Sequence, residues 1–355
     1  MDGAGTLHPD APRGVVLNAR IIWAFAAAAA QTGKPDYLEA ARYAAGWFLE
    51  HFIDPEQGGV YWSVSAKGEA LEDKKQLYAQ GFAIYGLSEL FHAGGDHAVL
   101  QAAIDLFHNT ETHFHDAVNG GYYEALARDF TPLADRSLSA HDIDADKTMN
   151  SHLHLLEAYA NLYRVWPDPL LEQRTRELIG LLQRRILRPD GHLHLYFRND
   201  WTVLPGAVSY GHDIETSWLL QECALALKDD SLLAEVRESA RRMALAGNEG
   251  LQEDGSMLYE LLPDGTLDAS RQWWVQAETV VGNLWAWKYL GLQDGLQKAQ
   301  AAWAYIRREL IHPEGEWYWA VLPDGKKDIS SPRAGFWKCP YHNARMCLEA
   351  LRIFD

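Results

Sequence analysis

Cysteine is scarce in this sequence, which contains three in 355 residues. Cys223, Cys339 and Cys347 are odd in number and show no CxxC spacing. A secreted disulfide scaffold needs an even, closely spaced set, so we interpret these residues as reduced thiols. Reduced thiols indicate a reducing compartment, and we therefore expect a cytoplasmic protein.

Positive charge is also in short supply. The chain has 32 Lys and Arg residues against 49 Asp and Glu residues, which gives a formal net charge of −17. Nucleic acids and anionic membranes both bind to positively charged protein surfaces. We therefore expect neither as a partner, and we expect a monomer that acts on a small molecule.

Extended apolar stretches are limited as well. Residues 20–30 combine one arginine, a short apolar core and small residues, as a secretory signal does. This run is shorter than the stretch that a membrane-spanning helix needs. Acidic Asp2 and Asp10 precede it, and the sequence continues through Gly33 into a second regular helix. These features argue against secretion and again favour the cytoplasm.

Aromatic residues, by contrast, are abundant in a composition that is otherwise typical of a soluble globular protein. The chain contains 14 Trp and 16 Tyr, with 48% hydrophobic and 23% charged residues overall. Aromatic faces pack well against the apolar faces of sugar rings. The aromatic content therefore favours a carbohydrate ligand.

An internal repeat organises the chain. Glycines lie at turns 60 to 70 residues apart, and each is followed by a short aromatic segment with the pattern of a β-hairpin; they are Gly59, Gly121, Gly191, Gly255 and Gly315. The Ala- and Leu-rich sequence between them has room for two helices. Such units must pack side by side, so we predict an all-α fold, a single (α/α)6-barrel domain over residues 1–355. Residues 1–14 resemble the end of a hairpin with no helix before it, so either the sequence begins late or the barrel closes with eleven helices.

The helix predicted over residues 149–164 has an unusual polar stripe. Asn150, His154, Glu157 and Asn161 recur at helical spacing, while the remaining circumference is mostly apolar. A helix that is apolar over most of its surface is buried. We therefore predict that Asn150, His154 and Glu157 point into a walled cavity.

Polar and aromatic residues recur near the starts of the helices that follow the hairpins. Equivalent positions in a toroid converge on its axis, so these residues should meet in one pocket. The candidates are Arg20, Asn150, His154, His212, Glu215, Trp273, Trp274, Glu278, Trp337 and His342.

Four segments carry a resemblance to a known family. They are Lys-Thr-Met-Asn-Ser-His-Leu-His at 147–154, Gly-His-Asp-Ile-Glu at 211–215, Trp-Trp-Val-Gln-Ala-Glu at 273–278 and Trp-Lys-Cys-Pro-Tyr-His-Asn at 337–343. They resemble the cellobiose 2-epimerase branch of the N-acylglucosamine 2-epimerase superfamily, whose members are (α/α)6 barrels. The resemblance extends over residues 12–351. In that family a further helix precedes the first one of this chain.

The resemblance implies a role for each matching residue. His212 and His342 would be the general acid/base pair, with Glu215 supporting His212. His154 would assist with Asn150 beside it, and Arg20 would bind the sugar oxygens near the reacting carbons. Sugar contacts would come from Tyr78, Trp273, Trp274, Glu278 and Trp337, with Tyr259 as a candidate for an outer sugar subsite.

These residue types suit a 2-epimerase chemically. Inversion at C2 of an open-chain aldose removes a proton from one face and delivers one to the other, which suits two histidines. Arg20 would stabilise the enediolate oxygen. We expect no metal and no other cofactor, because His152 and His154, at i and i+2 on a helix, point apart and cannot ligate one ion. Activity should fall with pH as the histidines become protonated.

Other functions remain open from the sequence. The preferred function is reversible C2 epimerisation of the reducing-end glucose of β-1,4-linked disaccharides to mannose. A 2-epimerase or aldose–ketose isomerase acting on free mannose or glucose would use the same groups. A glycoside hydrolase or lyase would need paired carboxylates, for which Asp142, Asp144, Asp146 and Glu278 are candidates. A binding protein without activity would need the tryptophans but not the histidines.

Overall fold

The computed structural model describes residues 1–139 and 142–355, and this part of the chain contains eleven α-helices. They alternate along the chain between an inner and an outer layer. The inner helices are α1 (Val15–Thr32), α3 (Leu77–His92), α5 (Met149–Val165), α7 (Tyr210–Ala226), α9 (Trp273–Tyr289) and α11 (His342–Phe354). The outer helices are α2 (Pro35–His51), α4 (His97–His113), α6 (Pro169–Leu181), α8 (Asp230–Gly247) and α10 (Gly295–Glu309).

The six inner helices form a closed ring. Each packs against the next inner helix, and α11 packs against α1 to complete the circle. The helices α3, α5, α7 and α9 are buried almost all round because their neighbours, the outer layer and the ring interior cover every side. The prediction of an all-α (α/α)6 barrel is confirmed, and the ring closes with eleven α-helices in the described residues.

Short strands connect the two layers on one face of the ring. They are β1 (Arg13–Gly14), β2 (Ser63–Val64), β3 (Ala70–Glu72), β4 (Lys75–Gln76), β5 (Ala125–Leu126), β6 (Lys147–Thr148), β7 (Tyr196–Phe197), β8 (Val203–Leu204), β9 (Val208–Ser209), β10 (Glu260–Leu261), β11 (Leu267–Asp268), β12 (Arg271–Gln272) and β13 (Ala320–Val321). The strand before each of the first five inner helices pairs antiparallel with the strand after the next outer helix. This pairing holds the N-terminal ends of the inner helices beside the hairpins.

The predicted glycine turns are present, but the strands begin later than predicted. All five glycines have positive φ, from 69° at Gly59 to 98° at Gly191, which only glycine adopts without strain. The residues one or two positions after these glycines form single bridges to a residue that follows the preceding outer helix, such as Tyr122 to His115. The regular strands start about three residues further on, because the chain must first turn away from that helix.

The apolar run near the N-terminus is longer than predicted. Helix α1 has 18 residues and a mean hydropathy of 1.3, so by length and composition it is able to cross a membrane. The prediction that it is too short was wrong because Arg20 lies inside the helix rather than before it. Half of this helix is buried in the ring, between α3 and α11.

Candidate active site

A cavity of about 550 Å³ lies at the hairpin face of the ring. All of the predicted site residues line it except Glu278; they are Arg20, Tyr78, Asn150, His154, His212, Glu215, Tyr259, Trp273, Trp274, Trp337 and His342. A volume between 300 and 1,000 Å³ is typical of small-molecule sites. The predicted convergence on one pocket is therefore confirmed.

The helix ends explain why these residues meet. Tyr78 and Asn150 are the second residues of their helices, His212 is the third residue of α7, and His342 is the first of α11. Six inner helices that begin at the same face of a ring direct their first turns toward one space. Arg20, His154 and Glu215, each the sixth residue of its helix, reach the same cavity from the second turn. Position within the first two turns therefore decides which side chains reach the cavity.

Arg20 is a buried, unpaired cation in the cavity wall. Its Nη2 donates to the Tyr78 hydroxyl at 2.8 Å and its Nη1 donates to the Trp337 carbonyl at 3.3 Å. The guanidinium also stacks over the rings of Phe82 and Tyr341, at 4.2 and 4.4 Å. Its Nε is buried and has no hydrogen-bond partner. Among the described residues no carboxylate forms an ion pair with Arg20, so its charge is available to a ligand oxygen.

His154 is held by an ionised carboxylate. Its Nδ1 lies 2.9 Å from Glu157 Oε2. Burial opposes ionisation of Glu157, but the Arg345 charge, His154 and the Tyr341 hydroxyl together outweigh it, and the pKa of Glu157 falls to about 2. An ionised carboxylate only accepts, so Nδ1 carries the proton and Nε2 of His154 presents a lone pair. Burial lowers the pKa of His154 below that of free imidazole and keeps it neutral.

His342 has the same arrangement with a different glutamate. Its Nδ1 lies 2.7 Å from Glu278 Oε1, and Glu278 Oε2 accepts from the indole of Trp218 at 2.9 Å. Glu278 is fully buried behind the histidine, so its predicted contact with the sugar is wrong. Burial, together with the charges of Arg20 and Arg345, holds the pKa of His342 well below its usual value.

Arg345 joins the carboxylates beneath the cavity. Its guanidinium donates to Glu157 at 2.7 Å, to Glu215 at 2.6 Å and to Glu278 at 2.7 Å. Among the described residues, Glu215, Glu278 and His342 have ligand atoms close enough to hold a metal ion. The guanidinium already lies between the two carboxylates, in the place where a cation would bind.

Glu215 does not support His212 as predicted. Its hydrogen bond goes to Arg345, and its nearest histidine atom is His342 Nδ1 at 3.9 Å. Burial and the neighbouring charge of Glu278 raise the pKa of Glu215 to about 8. At neutral pH Glu215 is therefore mostly protonated, and it faces the cavity as a hydrogen-bond donor.

His212 is held by a hydroxyl instead. Its Nδ1 lies 2.8 Å from Ser209 Oγ, and its ring packs against Trp274 at 4.8 Å between centroids. Burial, with a smaller effect from His154, lowers the pKa of His212 to about 3. The neutral histidines therefore persist to a lower pH than free imidazole would, so a fall of activity caused by their protonation is expected at a lower pH than for free imidazole.

The mouth of the cavity contains residues that sequence reasoning missed. The hairpins and the long segment before β6 contribute Asp142, Tyr196, Glu260, Asp268 and Trp319 to its lining. The Tyr196 hydroxyl donates to Asp142 at 3.0 Å. These residues have no common spacing, and their loops reach the cavity only through the strand pairing, so the sequence carries no signal for them.

Arg345 did have a usable signal, and Glu157, which was predicted to point into the cavity, lies behind His154 instead and does not line it. Each histidine of the cavity precedes a charged residue by three positions, as in His154–Glu157, His212–Glu215 and His342–Arg345. Residues at i and i+3 share a helix face. The repeated spacing therefore indicates that a charged layer lies beneath the histidines.

The carboxylates considered for hydrolysis are not paired across the cavity. Asp144 and Asp146 both form ion pairs with Arg136 and do not line the cavity. Asp142 lies at the mouth and Glu278 lies behind His342. Glycoside hydrolysis needs two carboxyl groups that flank the bond, and these four do not provide them.

Comparison with known proteins places this site in context. A model of the N-acylglucosamine 2-epimerase (GlcNAc 2-epimerase) family matches residues 1–345. A cellobiose 2-epimerase from Bacteroides fragilis is 48% identical over 352 residues, which are 98% of this chain and 90% of that protein.

Solved structures agree with these sequence matches. Cellobiose 2-epimerase from Bacillus thermoamylovorans superimposes with a TM-score of 0.94 at 35% identity, covering 99% of this chain and 90% of the other. A D-mannose isomerase superimposes with a TM-score of 0.86 at 21% identity, covering 99% of this chain and 90% of the other. At that identity the isomerase supports the fold alone.

Proposed function

Because the chain belongs to the N-acylglucosamine 2-epimerase family, a family of carbohydrate isomerases, we propose that it interconverts glucose and mannose at the reducing end of β-1,4-linked disaccharides. It would do so by proton transfer at C2, without a metal or other cofactor. We further propose that it is a cytoplasmic monomer.

The observation that carries this proposal is the placement of two neutral imidazoles in one cavity. The ring of Trp274 lies between them, 4.8 Å from the ring of His212 and 5.7 Å from that of His342. Both histidines also line the cavity that Arg20 faces. Two bases on separate walls are what inversion of a carbon centre requires.

The reaction proceeds from the open-chain aldose. One histidine Nε2 takes the C2 proton, and the electron pair of the C–H bond moves toward the C1 oxygen. Arg20, which has no carboxylate partner, stabilises the negative oxygen of the enediolate. The other histidine delivers a proton to the opposite face of C2. His154, oriented by Glu157, and protonated Glu215 are placed to exchange protons with the ring oxygen and the C1 hydroxyl during ring opening.

The size of the cavity supports a disaccharide. Its volume of about 550 Å³ extends from the histidines to the hairpins, where Tyr259, Trp319 and Trp337 present aromatic surface. Aromatic residues beyond the reacting centre provide a place for a second sugar ring. The cellobiose 2-epimerases, at 48% and 35% identity, support the same substrate class.

The test is proton NMR of cellobiose, glucose, mannose and fructose, each incubated separately with the protein in D2O. We expect deuterium at C2 and glucosyl-mannose formed from cellobiose. Turnover of the monosaccharides only would assign the protein to isomerisation or epimerisation of free mannose or glucose. Release of glucose from cellobiose would mean hydrolysis, and no exchange with any sugar would contradict the proposal.

A further inference from the structure

His212 differs from the other two histidines in the hydrogen-bond partner of its Nδ1 atom. His154 and His342 each meet a glutamate at Nδ1, at 2.9 and 2.7 Å, whereas His212 meets the hydroxyl of Ser209 at 2.8 Å. A histidine that takes a proton at Nε2 while keeping the one at Nδ1 becomes a cation. His212 is buried in the ring, where an unpaired cation is costly. Its use as a base therefore requires somewhere for the Nδ1 proton to go.

Ser209 is placed to accept that proton. It is the residue before the first turn of α7, where a serine hydroxyl usually accepts a backbone N–H of the helix. Here the hydroxyl makes no such capping bond and faces His212 instead. Ser209 is 1% exposed and does not line the cavity, so it reaches no substrate itself.

A carboxylate stands behind the serine. Ser209 on β9 is directly opposite Glu260 on β10 in the antiparallel pair. Side chains of directly opposed residues lie on the same face of a sheet and interact. The two side chains interact, because Ser209 opposes the rise that burial produces in the pKa of Glu260. An ionised Glu260 only accepts, so the donors run in one direction, from His212 Nδ1–H to Ser209 and from Ser209 Oγ–H to Glu260.

We propose that Ser209 and Glu260 form a proton relay behind His212, which lets this histidine act as base and acid without becoming a buried cation. The inference rests on the proposed C2 epimerisation. When the C2–H bond breaks, a proton binds His212 Nε2 and the electron pair forms the enediolate beside Arg20. His212 Nδ1 gives its proton to Ser209 Oγ, and the Ser209 hydroxyl proton passes to Glu260. Proton delivery to C2 reverses each transfer.

The groups around Ser209 and Glu260 favour proton exchange near neutral pH. Glu260 is faced by Asp268 from β11, by Asp142 from the segment before β6 and by its neighbour Tyr259. Burial raises the pKa of Glu260 to about 7, and the two aspartates add to the rise while Ser209 and Tyr259 oppose it. His212 is faced by His154 and Glu278. Glu260 is thus ionised and able to accept above pH 7, and kcat for proton removal should rise as pH increases through 7.

Ser209 is a suitable residue for testing the relay because its side chain does not line the cavity. We expect Ser209→Ala to lower kcat for cellobiose by roughly 10- to 100-fold with KM within about twofold, since positioned proton transfer contributes about 10²–10⁴ to rates. Ser209→Thr keeps the hydroxyl and should recover most of the loss. Deuterium entry at C2 in D2O should fall in parallel with kcat, and the dependence of kcat on pH near 7 should disappear in Ser209→Ala.

A second variant keeps the proposal open to refutation if Ser209→Ala folds poorly. Glu260→Gln cannot accept a proton, so it should show a low kcat that no longer changes with pH near 7. A Ser209→Ala or Glu260→Gln enzyme with the kcat and pH profile of wild type would overturn the relay, as would a change confined to KM. Wild-type protein without C2 exchange would instead overturn the proposed function, and the relay with it.

Discussion

The atom behind each histidine determines what that histidine is able to do. His342 has an ionisable carboxylate at 2.7 Å from its Nδ1, which fixes the proton there and leaves Nε2 to act as a base. We predict that Glu278→Gln lowers kcat by about 10²-fold with little change in KM, because the amide accepts a hydrogen bond but carries no charge to balance a protonated imidazole. Steady-state kinetics on cellobiose measure this.

Glu349 provides a matched control for that substitution. It is also a buried glutamate on an inner helix, and it accepts an indole N–H, from Trp285 at 3.1 Å, as Glu278 does from Trp218. It lies two turns further along α11 than His342, and in the described part of the chain no hydrogen bond joins it to a histidine. Glu349→Gln should retain wild-type kcat. Equal losses in both variants would mean that Glu278 acts through folding rather than through His342.

At the residue scale the sequence predicted the cavity wall but not the layer behind it. The lining residues on the inner helices lie in the first two turns of repeated helices, so register alone predicts where they point. Arg345 on α11 and Glu157 on α5 are 188 residues apart, and their contact depends on how the ring closes. For the same reason the support of His212 was assigned to Glu215 on its own helix rather than to Ser209 and Glu260.

Glycine is needed in the hairpin turns for its backbone conformation and for its lack of a side chain. Gly120 and Gly121 allow these two effects to be measured separately. Gly120 and Gly121 have φ of 75° and 74°. A Cβ at Gly120 would meet no atom within 4 Å, whereas one at Gly121 would lie 2.6 Å from the Trp201 ring and 2.8 Å from His152 Nε2. Gly120→Ala should cost about 1–2 kcal/mol for the backbone alone. Gly121→Ala should cost about 3 kcal/mol or more, because overlap is added.

Urea unfolding of the two variants measures this difference in the free energy of unfolding. Equal losses would show that the backbone conformation is the whole cost and that the Trp201 ring moves aside freely. A smaller loss for Gly121→Ala than for Gly120→Ala would contradict the packing argument.

The segment before β6 is a second element whose role depends on ion pairs. Arg136 binds Asp144 at 2.9 Å and also binds Asp146, and this holds the segment that places Asp142 at the cavity mouth. We predict that Arg136→Ala raises KM for cellobiose by roughly three- to tenfold while kcat changes little. Each partly exposed ion pair contributes up to about 1 kcal/mol to holding the segment in place. Kinetics at low and high salt check this.

Arg188→Ala is the control, because Arg188 pairs with Asp190 at 2.6 Å in a hairpin turn that adds no residue to the cavity. It should leave KM unchanged. A lower kcat with constant KM in Arg136→Ala would show that the segment acts on proton transfer rather than on substrate binding.

At the element scale the sequence predicted helices better than strands. Helical spacing over 16 or more residues identified α5 and its buried polar stripe. The strands are two or three residues long, and the aromatic segments before them look similar in sequence. The neighbouring unit of the ring decides which residues after each glycine turn pair as strands. The strand positions were therefore predicted about three residues early.

Closure of the ring is a property of the whole molecule that the repeat predicted only in outline. Five glycine turns required a toroid, but contact between α11 and α1 joins residues more than 300 positions apart. No local pattern in the sequence indicates a contact between residues so far apart. Closure then places one positive group, Arg345, among three carboxylates, and it buries further carboxyl groups whose ionisation the fold opposes.

Those buried carboxyl groups predict how stability changes with pH. Burial raises the pKa of Glu124 to about 7; burial with neighbouring charges raises that of Glu260 to about 7 and that of Glu215 to about 8. Between pH 6.5 and 8 these three groups therefore bind more protons in the folded protein than in the unfolded chain, and rising pH reduces their contribution to the free energy of unfolding by on the order of 2–3 kcal/mol. Histidines whose pKa the fold lowers, such as His152 and His212, act in the opposite direction, because an unfolded histidine titrates at about pH 6.5. Replacement of a single carboxyl group separates its effect from that of the histidines.

Urea unfolding at constant ionic strength from pH 6.5 to 8 tests this, with Glu124→Gln as the matched variant. Glu124 accepts hydrogen bonds from Thr148 at 2.8 Å and Ser151 at 2.6 Å and does not line the main cavity. Removing its titration should reduce the loss of stability over this range by somewhat less than about 1 kcal/mol. A Glu124→Gln slope equal to that of wild type would mean that the ring tolerates the charge of Glu124 and that burial does not control its ionisation.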